Sequence, residues 1–100
     1  MPSISNLKLF NIRNAKFIIN KGYIFNPLCV EGILTADKDY DLLIIDIPVY
    51  DEEECLIGTF QDSIRGIRKG DNWKFRAINC NIEDERVKSF NINKALLSGH

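Results

Sequence analysis

From Asp41 to Tyr50 the chain reads Asp-Leu-Leu-Ile-Ile-Asp-Ile-Pro-Val-Tyr, a run suited to an extended strand. Successive side chains of a strand point to opposite faces. Leu43, Ile45, Ile47 and Val49 therefore share one wholly apolar face, and Leu42, Ile44, Asp46, Pro48 and Tyr50 share a mixed one. A face made only of leucine, isoleucine and valine must enter a core. Pro48 lacks an amide donor, so this end of the strand is expected at a sheet edge or a bulge. On the mixed face, Leu42, Ile44 and Tyr50 call for either a cover or a partner.

The same alternation recurs elsewhere, and helical stripes are scarce. Strands are predicted at Leu7–Ile12, Lys16–Ile19, Leu28–Ala36, Cys55–Phe60, Trp73–Cys80 and Val87–Ile92. Breaks are expected at Arg13-Asn14, Lys21-Gly22, Asn26-Pro27, Asp37–Asp41, Asp51–Glu54, Gln61–Gly70 and Asn81–Glu85, where polar residues, glycine or proline cluster. Leu28, Val30, Gly32 and Leu34 would face one way, with Cys29, Glu31, Ile33 and Thr35 opposite. Trp73, Phe75 and Ala77 would point inward, and Lys74 and Arg76 outward. Asn93–Leu97 reads as a fraying end or a short helical turn. About seven short strands joined by polar loops predict an all-β fold, an antiparallel sandwich. One hundred residues fit a single domain spanning 1–100.

Two motifs carry a family resemblance. The first is Ile47-Pro48-Val49-Tyr50-Asp51. The second is Ile67-Arg68-Lys69-Gly70-Asp71-Asn72-Trp73-Lys74-Phe75-Arg76-Ala77, preceded by Gly32 in an earlier strand. Together they resemble the FxLYD domain family of small bacterial immunoglobulin-like sandwiches, over about residues 28–97, with residues 1–27 as additional N-terminal strands. Lys69 stands where that family usually has proline, and Ala36-Asp37 where an asparagine is usual. The resemblance implies an immunoglobulin-like sandwich of about seven strands, with no catalytic activity and no common ligand. It also implies that the domain is often exported. The matching residues have physical explanations of their own. Gly70 would supply a positive φ in a turn, Trp73 and Phe75 would fill the core, Tyr50 would bury its ring with its hydroxyl bonded to a loop, and Asp51 would accept from turn amides.

Charge and composition narrow the function. A formal charge of −1 offers no global field for nucleic acid, and no outward aromatic is evident for stacking bases. No apolar run approaches the ~20 residues of a membrane span, so no membrane insertion is expected. Met1–Phe10 lacks the pattern of an export leader, which points to the cytoplasm, with a leader already removed as the alternative. Cys29, Cys55 and Cys80 fit no zinc spacing and cannot all pair. They are expected as buried or half-buried thiols, with a Cys29–Cys80 disulfide as the alternative. The single histidine is His100, and no nucleophile–base constellation or phosphate loop is present, so neither an enzyme nor a cofactor is expected. Asp37, Asp39 and Asp41 open like a calcium loop, but Leu42 and Pro48 occupy its glycine and glutamate positions.

What remains is an interaction or structural module that binds a protein partner or itself. Its candidate interface is Leu42, Ile44, Ile33 and Ile78, outward apolar residues unless Leu7–Phe25 covers them. Arg65, Arg68, Lys69, Lys74 and Arg76 gather positive charge as a candidate patch for an anion or an acidic partner, or as a charged sheet face paired with neighbouring acids. The alternative is a small-ligand or cation-binding domain that uses the acidic loops.

Overall fold

The computed structural model describes residues 3–4, 11–19 and 27–100. The expected strand residues 7–10 and the expected turns at 21–22 and 26 lie outside them. Eight strands follow in chain order: β1 Ser3–Ile4, β2 Asn11–Ile19, β3 Leu28–Thr35, β4 Tyr40–Tyr50, β5 Leu56–Ile67, β6 Asn72–Ala77, β7 Ser89–Phe90 and β8 Leu96–Gly99. Single turns of 3-10 helix occupy Asp84–Arg86 and Ile92–Lys94. One sheet has the order β1-β8-β4-β5, with β7 also paired to β4, and the other has the order β2-β3-β6. All pairings are antiparallel. The molecule is a β-sandwich.

Alternation explains how the sheets meet. Leu43, Ile45, Ile47 and Val49 of β4 are all fully buried, as are Val30 and Leu34 of β3 and Phe75 and Ala77 of β6. These inward faces interdigitate with Phe60, Trp73 and Leu97 in one core. Complete burial of one such side chain contributes about 1.5–3 kcal/mol. Gly32 lies directly across the ladder from Phe75, and a Cβ at Gly32 would come 2.5 Å from the Phe75 ring. The glycine thus makes room for the aromatic ring that replaces its own missing side chain.

One side of the sandwich is stitched. Gln61 of β5 and Ile78, just past β6, exchange backbone hydrogen bonds of 2.9 and 3.0 Å. The Asp62 carboxylate accepts from the Arg76 amide, and the Asn79 side chain donates to the Thr59 carbonyl. These bonds hold β5 against β6 although the two strands belong to different sheets.

Several boundaries differ from the sequence reading. Arg13-Asn14 is not a break between two strands. β2 runs through it with a register shift between Arg13 and Lys16, and Asn14 takes a left-handed φ of 60°. Asparagine tolerates that conformation better than most residues. Gln61–Gly66 is not a connection either, because β5 continues to Ile67 opposite β4. Its polar residues suit a sheet-edge strand, while β4 supplies the apolar side chains. Asn93–Leu97, expected to fray or form a short helical turn, begins within the Ile92–Lys94 turn, but Leu96 and Leu97 then open β8, Leu96–Gly99, and Leu97 is buried.

The Pro48 end of β4 lies at a bulge, where the β4–β5 register shifts between Val49 and Tyr50, but not at an outer edge. β4 has β5 on one flank and both β8 and β7 on the other. β8 pairs with residues 43–46 and β7 with residues 49–50. The Pro48 carbonyl accepts from Asn91 at 3.2 Å, so its donor-less nitrogen faces the gap between these two strands. A missing amide costs little there, because no ladder partner is present to receive it.

Candidate functional site

The two outward faces of the sandwich carry the candidate residues. On the five-stranded sheet, Leu42 and Ile44 are half-buried, and their cross-strand neighbours are Arg65 and Ser63 on β5. Ile44 also lies opposite Ser98 on β8, and Asp46 lies opposite Leu96 and Gln61. Tyr50 is half-buried and lies opposite Leu56. Leu96 and Leu56 are 51% and 62% exposed. This face is an apolar mosaic running the length of β4, with Asp46, Gln61, Ser63 and Arg65 among the apolar groups. The described part of the N-terminal segment does not cover it. β2 instead extends the other sheet, pairing with β3.

The expected interface divides accordingly. Leu42 and Ile44 look outward from one sheet. Ile33 looks outward from the other, between Arg13 of β2 and Lys74 of β6. Ile78 sits at the stitched side, hydrogen-bonded through its backbone to Gln61. The core separates Ile33 from Leu42 and Ile44, so the four residues cannot form one patch.

The expected basic patch divides too. Arg65 stands beside Leu42 on the five-stranded sheet. Arg68 and Lys69 occupy the β5–β6 turn, where the Lys69 amide donates to Asp39 at 2.8 Å and the Arg68 guanidinium lies 3.4 Å from the same carboxylate. Lys74 and Arg76 share the outer face of the three-stranded sheet, 3.9 and 3.0 Å from the two oxygens of Glu31. The acid-neighbour reading therefore holds for Lys74 and Arg76. Arg13 and Lys16, which sequence reasoning did not single out, join them on this face through the β2–β3 register. A cavity of about 370 Å³ opens there, lined by Asn14, Ala15, Lys16, Glu31, Ile33 and Lys74 among others.

The acidic loops serve the fold. Asp37 accepts the Tyr40 hydroxyl at 2.7 Å. Asp39 holds the β5–β6 turn, and the Lys69 amide, aided by Arg68, keeps its carboxyl below the usual carboxylate range. Asp51 accepts from the amides of Glu53 and Cys55, both at 2.9 Å, and so closes the β4–β5 turn. Among the described residues, no three His, Cys, Asp or Glu side chains are grouped to hold a metal ion.

The motif residues are structural where their partners are visible. Ile47, Val49, Trp73 and Phe75 are buried, Gly70 has a φ of 88°, and Trp73 meets Phe75 edge to face at 5.9 Å. The buried tyrosine with a loop-bonded hydroxyl is Tyr40, while Tyr50 is half-buried on the outer face. Burial, then the neighbouring Asp37 carboxylate, push the Tyr40 hydroxyl well above its usual range.

The thiols also differ from expectation. Cys29 is fully buried, but Cys55 and Cys80 are exposed. Cys29 keeps a free thiol, so the Cys29–Cys80 bridge is not formed. Burial pushes the Cys29 thiol up from its ordinary pKa. No described helix is long and apolar enough to cross a membrane.

Comparisons with family models, with curated proteins and with solved structures each found no match to this chain.

Proposed function

We propose that this chain is a non-catalytic, immunoglobulin-like module that binds protein, a second copy or another chain, through the outer face of its five-stranded sheet. The observation that carries the reading is the exposure of Leu56 and Leu96 on the face that also holds Leu42, Ile44 and Tyr50. Leucines held half open or more on one sheet face lose contact with water when a partner covers them. The strand order supports the immunoglobulin-like part. β2-β3-β6 follows the A-B-E order of such sandwiches, and β5-β4-β8 follows C′-C-F. The FxLYD resemblance is part of this proposal and rests on the two motifs, whose packing and turn roles fit it except at Tyr50, which is half-buried on the outer face. A reducing compartment such as the cytoplasm suits the free, exposed Cys55 thiol.

The test pairs the wild type with Leu56→Lys/Leu96→Lys. Both sites are exposed, so circular dichroism should show an unchanged fold. Sedimentation velocity at two concentrations reads self-association, and affinity capture from the native host reads other partners. The proposal expects a complex in one of these measurements that the double variant loses. A wild type that stays monomeric, and captures the same set of proteins as the variant, overturns it.

A further inference from the structure

The opposite face of the molecule carries a second feature that the reading above does not use. The outer face of β2-β3-β6 is laid out by register. Arg13, Ile33 and Lys74 stand in one row, and Lys16, Glu31 and Arg76 in the next. Four cations thus surround one carboxylate. Glu31 is largely covered, its side chain 13% exposed, and both its oxygens are engaged by Lys74 and Arg76. Among the described residues, Arg13 donates to neutral acceptors only, Thr35 Oγ1 at 3.0 Å and Asn72 Oδ1 at 3.4 Å, besides the Asn11 carbonyl at 3.4 Å. These bonds fix its guanidinium without cancelling its charge. Lys16 is exposed. The two rows carry three uncancelled positive charges on a protein whose formal net charge is −1.

Shape accompanies charge. The register shift in β2 puts extra backbone at Asn14-Ala15, beside the cavity of about 370 Å³. Lys16 and Lys74 line this cavity together with Ile33 and Glu31. Bulges of this kind re-aim side chains beside binding sites, and a non-glycine residue in the left-handed region is a conformation that its surroundings must hold.

We propose that this cradle binds an acidic polypeptide segment, with carboxylates of the partner meeting Lys16, Arg13 and the outward sides of Lys74 and Arg76. The ligand class follows from the lining. The cations sit on strands two sheet spacings apart, about 10 Å, which suits separate carboxylates along a chain better than one small anion. Ile33 offers an apolar contact between them. A nucleic acid fits less well, because Glu31 interrupts the cationic surface and no aromatic residue stands on these rows to stack bases.

The experiment uses the full chain and a fluorescein-labelled oligoglutamate peptide, read by anisotropy at low and at moderate salt. A labelled oligothymidine of similar charge is the comparison probe. Peptide binding should weaken as salt rises and should fall about tenfold or more in Lys16→Glu/Lys74→Glu, since two exposed attractions become repulsions. Arg65→Glu, on the other sheet's outer face, should leave it unchanged. Circular dichroism checks the fold of both variants. No peptide binding at low salt overturns the proposal, and so does equal binding by Lys16→Glu/Lys74→Glu. Oligothymidine binding as tight as the peptide also overturns it. None of these outcomes bears on Leu56 and Leu96, so this proposal and the proposed function fail separately.

Discussion

Trp73 shows how much of the fold can depend on one side chain. It is 7% exposed, shares its face with Phe75 and Ala77, and packs edge to face on Phe75. Trp73→Ala removes that ring from a close-packed core and should cost about 3–5 kcal/mol. A domain of ordinary stability, about 5–15 kcal/mol, would lose a large share of it, and all of it at the low end. Urea denaturation measures it, and an unchanged midpoint would contradict the core role. This part of the fold was legible in the sequence, because strict alternation needs only composition and period. The same logic placed Leu43, Ile45, Ile47 and Val49 correctly. The separate expectation of buried or half-buried thiols failed for Cys55 and Cys80, and the exposure of Cys55 goes with the turn that Asp51 closes. Alternation also missed Arg13 and Lys16, because β2 looked like two fragments. Only a cross-strand register brings them beside Lys74, and register is a long-range property that local pattern does not contain.

At the scale of elements, the β5–β6 turn illustrates a polar staple. The Asp39 carboxylate accepts the Lys69 amide and faces Arg68, while Asp71 accepts the Arg68 amide at 3.0 Å. The Asp39 carboxyl is held below its usual pKa, first by the Lys69 amide bond. Folding therefore favours the ionised form. The stabilisation is complete above the unfolded-state carboxylate pKa and is lost as pH falls through the lower folded value. Wild type should be more stable than Asp39→Asn near neutral pH, and the two should converge in strong acid. Urea midpoints across that range check the sign, and a gap that widened towards acid would contradict it. The sequence marked Asp39 as a loop acid or a weak cation ligand. Its actual partner is thirty residues away and is reached only once β4 and β5 pair. β5 was misread for a related reason. A strand next to an apolar central strand can itself be polar, and its neighbour then carries the signal.

For the molecule as a whole, the stitched side and the shared core predict that the sandwich opens as a unit. Cys29, buried on β3 but outside that core cluster, reports whether its own cover is lost in the same opening. It is fully buried and its thiol pKa is raised by burial, whereas Cys55 is exposed. The thiolate is the reactive species. Under native conditions an alkylating reagent should modify Cys55 promptly and Cys29 only as the protein unfolds, with peptide mass spectrometry assigning each site. Prompt labelling of Cys29 would mean that its cover on β3, the central strand of the three-stranded sheet, opens locally.

The two outer faces are set back to back, with a single layer of core side chains between the sheets, which in sandwiches spans about 10 Å. No ligand seated on Leu56 and Leu96 can touch Lys16 or Lys74, because the core stands between them. Occupancy of one side therefore leaves the other vacant, and two unlike partners would not compete. One would be gripped by oil-like contacts indifferent to ionic strength, the other by charges that brine dissolves. With both proposed surfaces occupied, such a molecule would act as an adaptor by geometry, a thin spacer joining two different bodies in one ternary assembly from which salt would release only one.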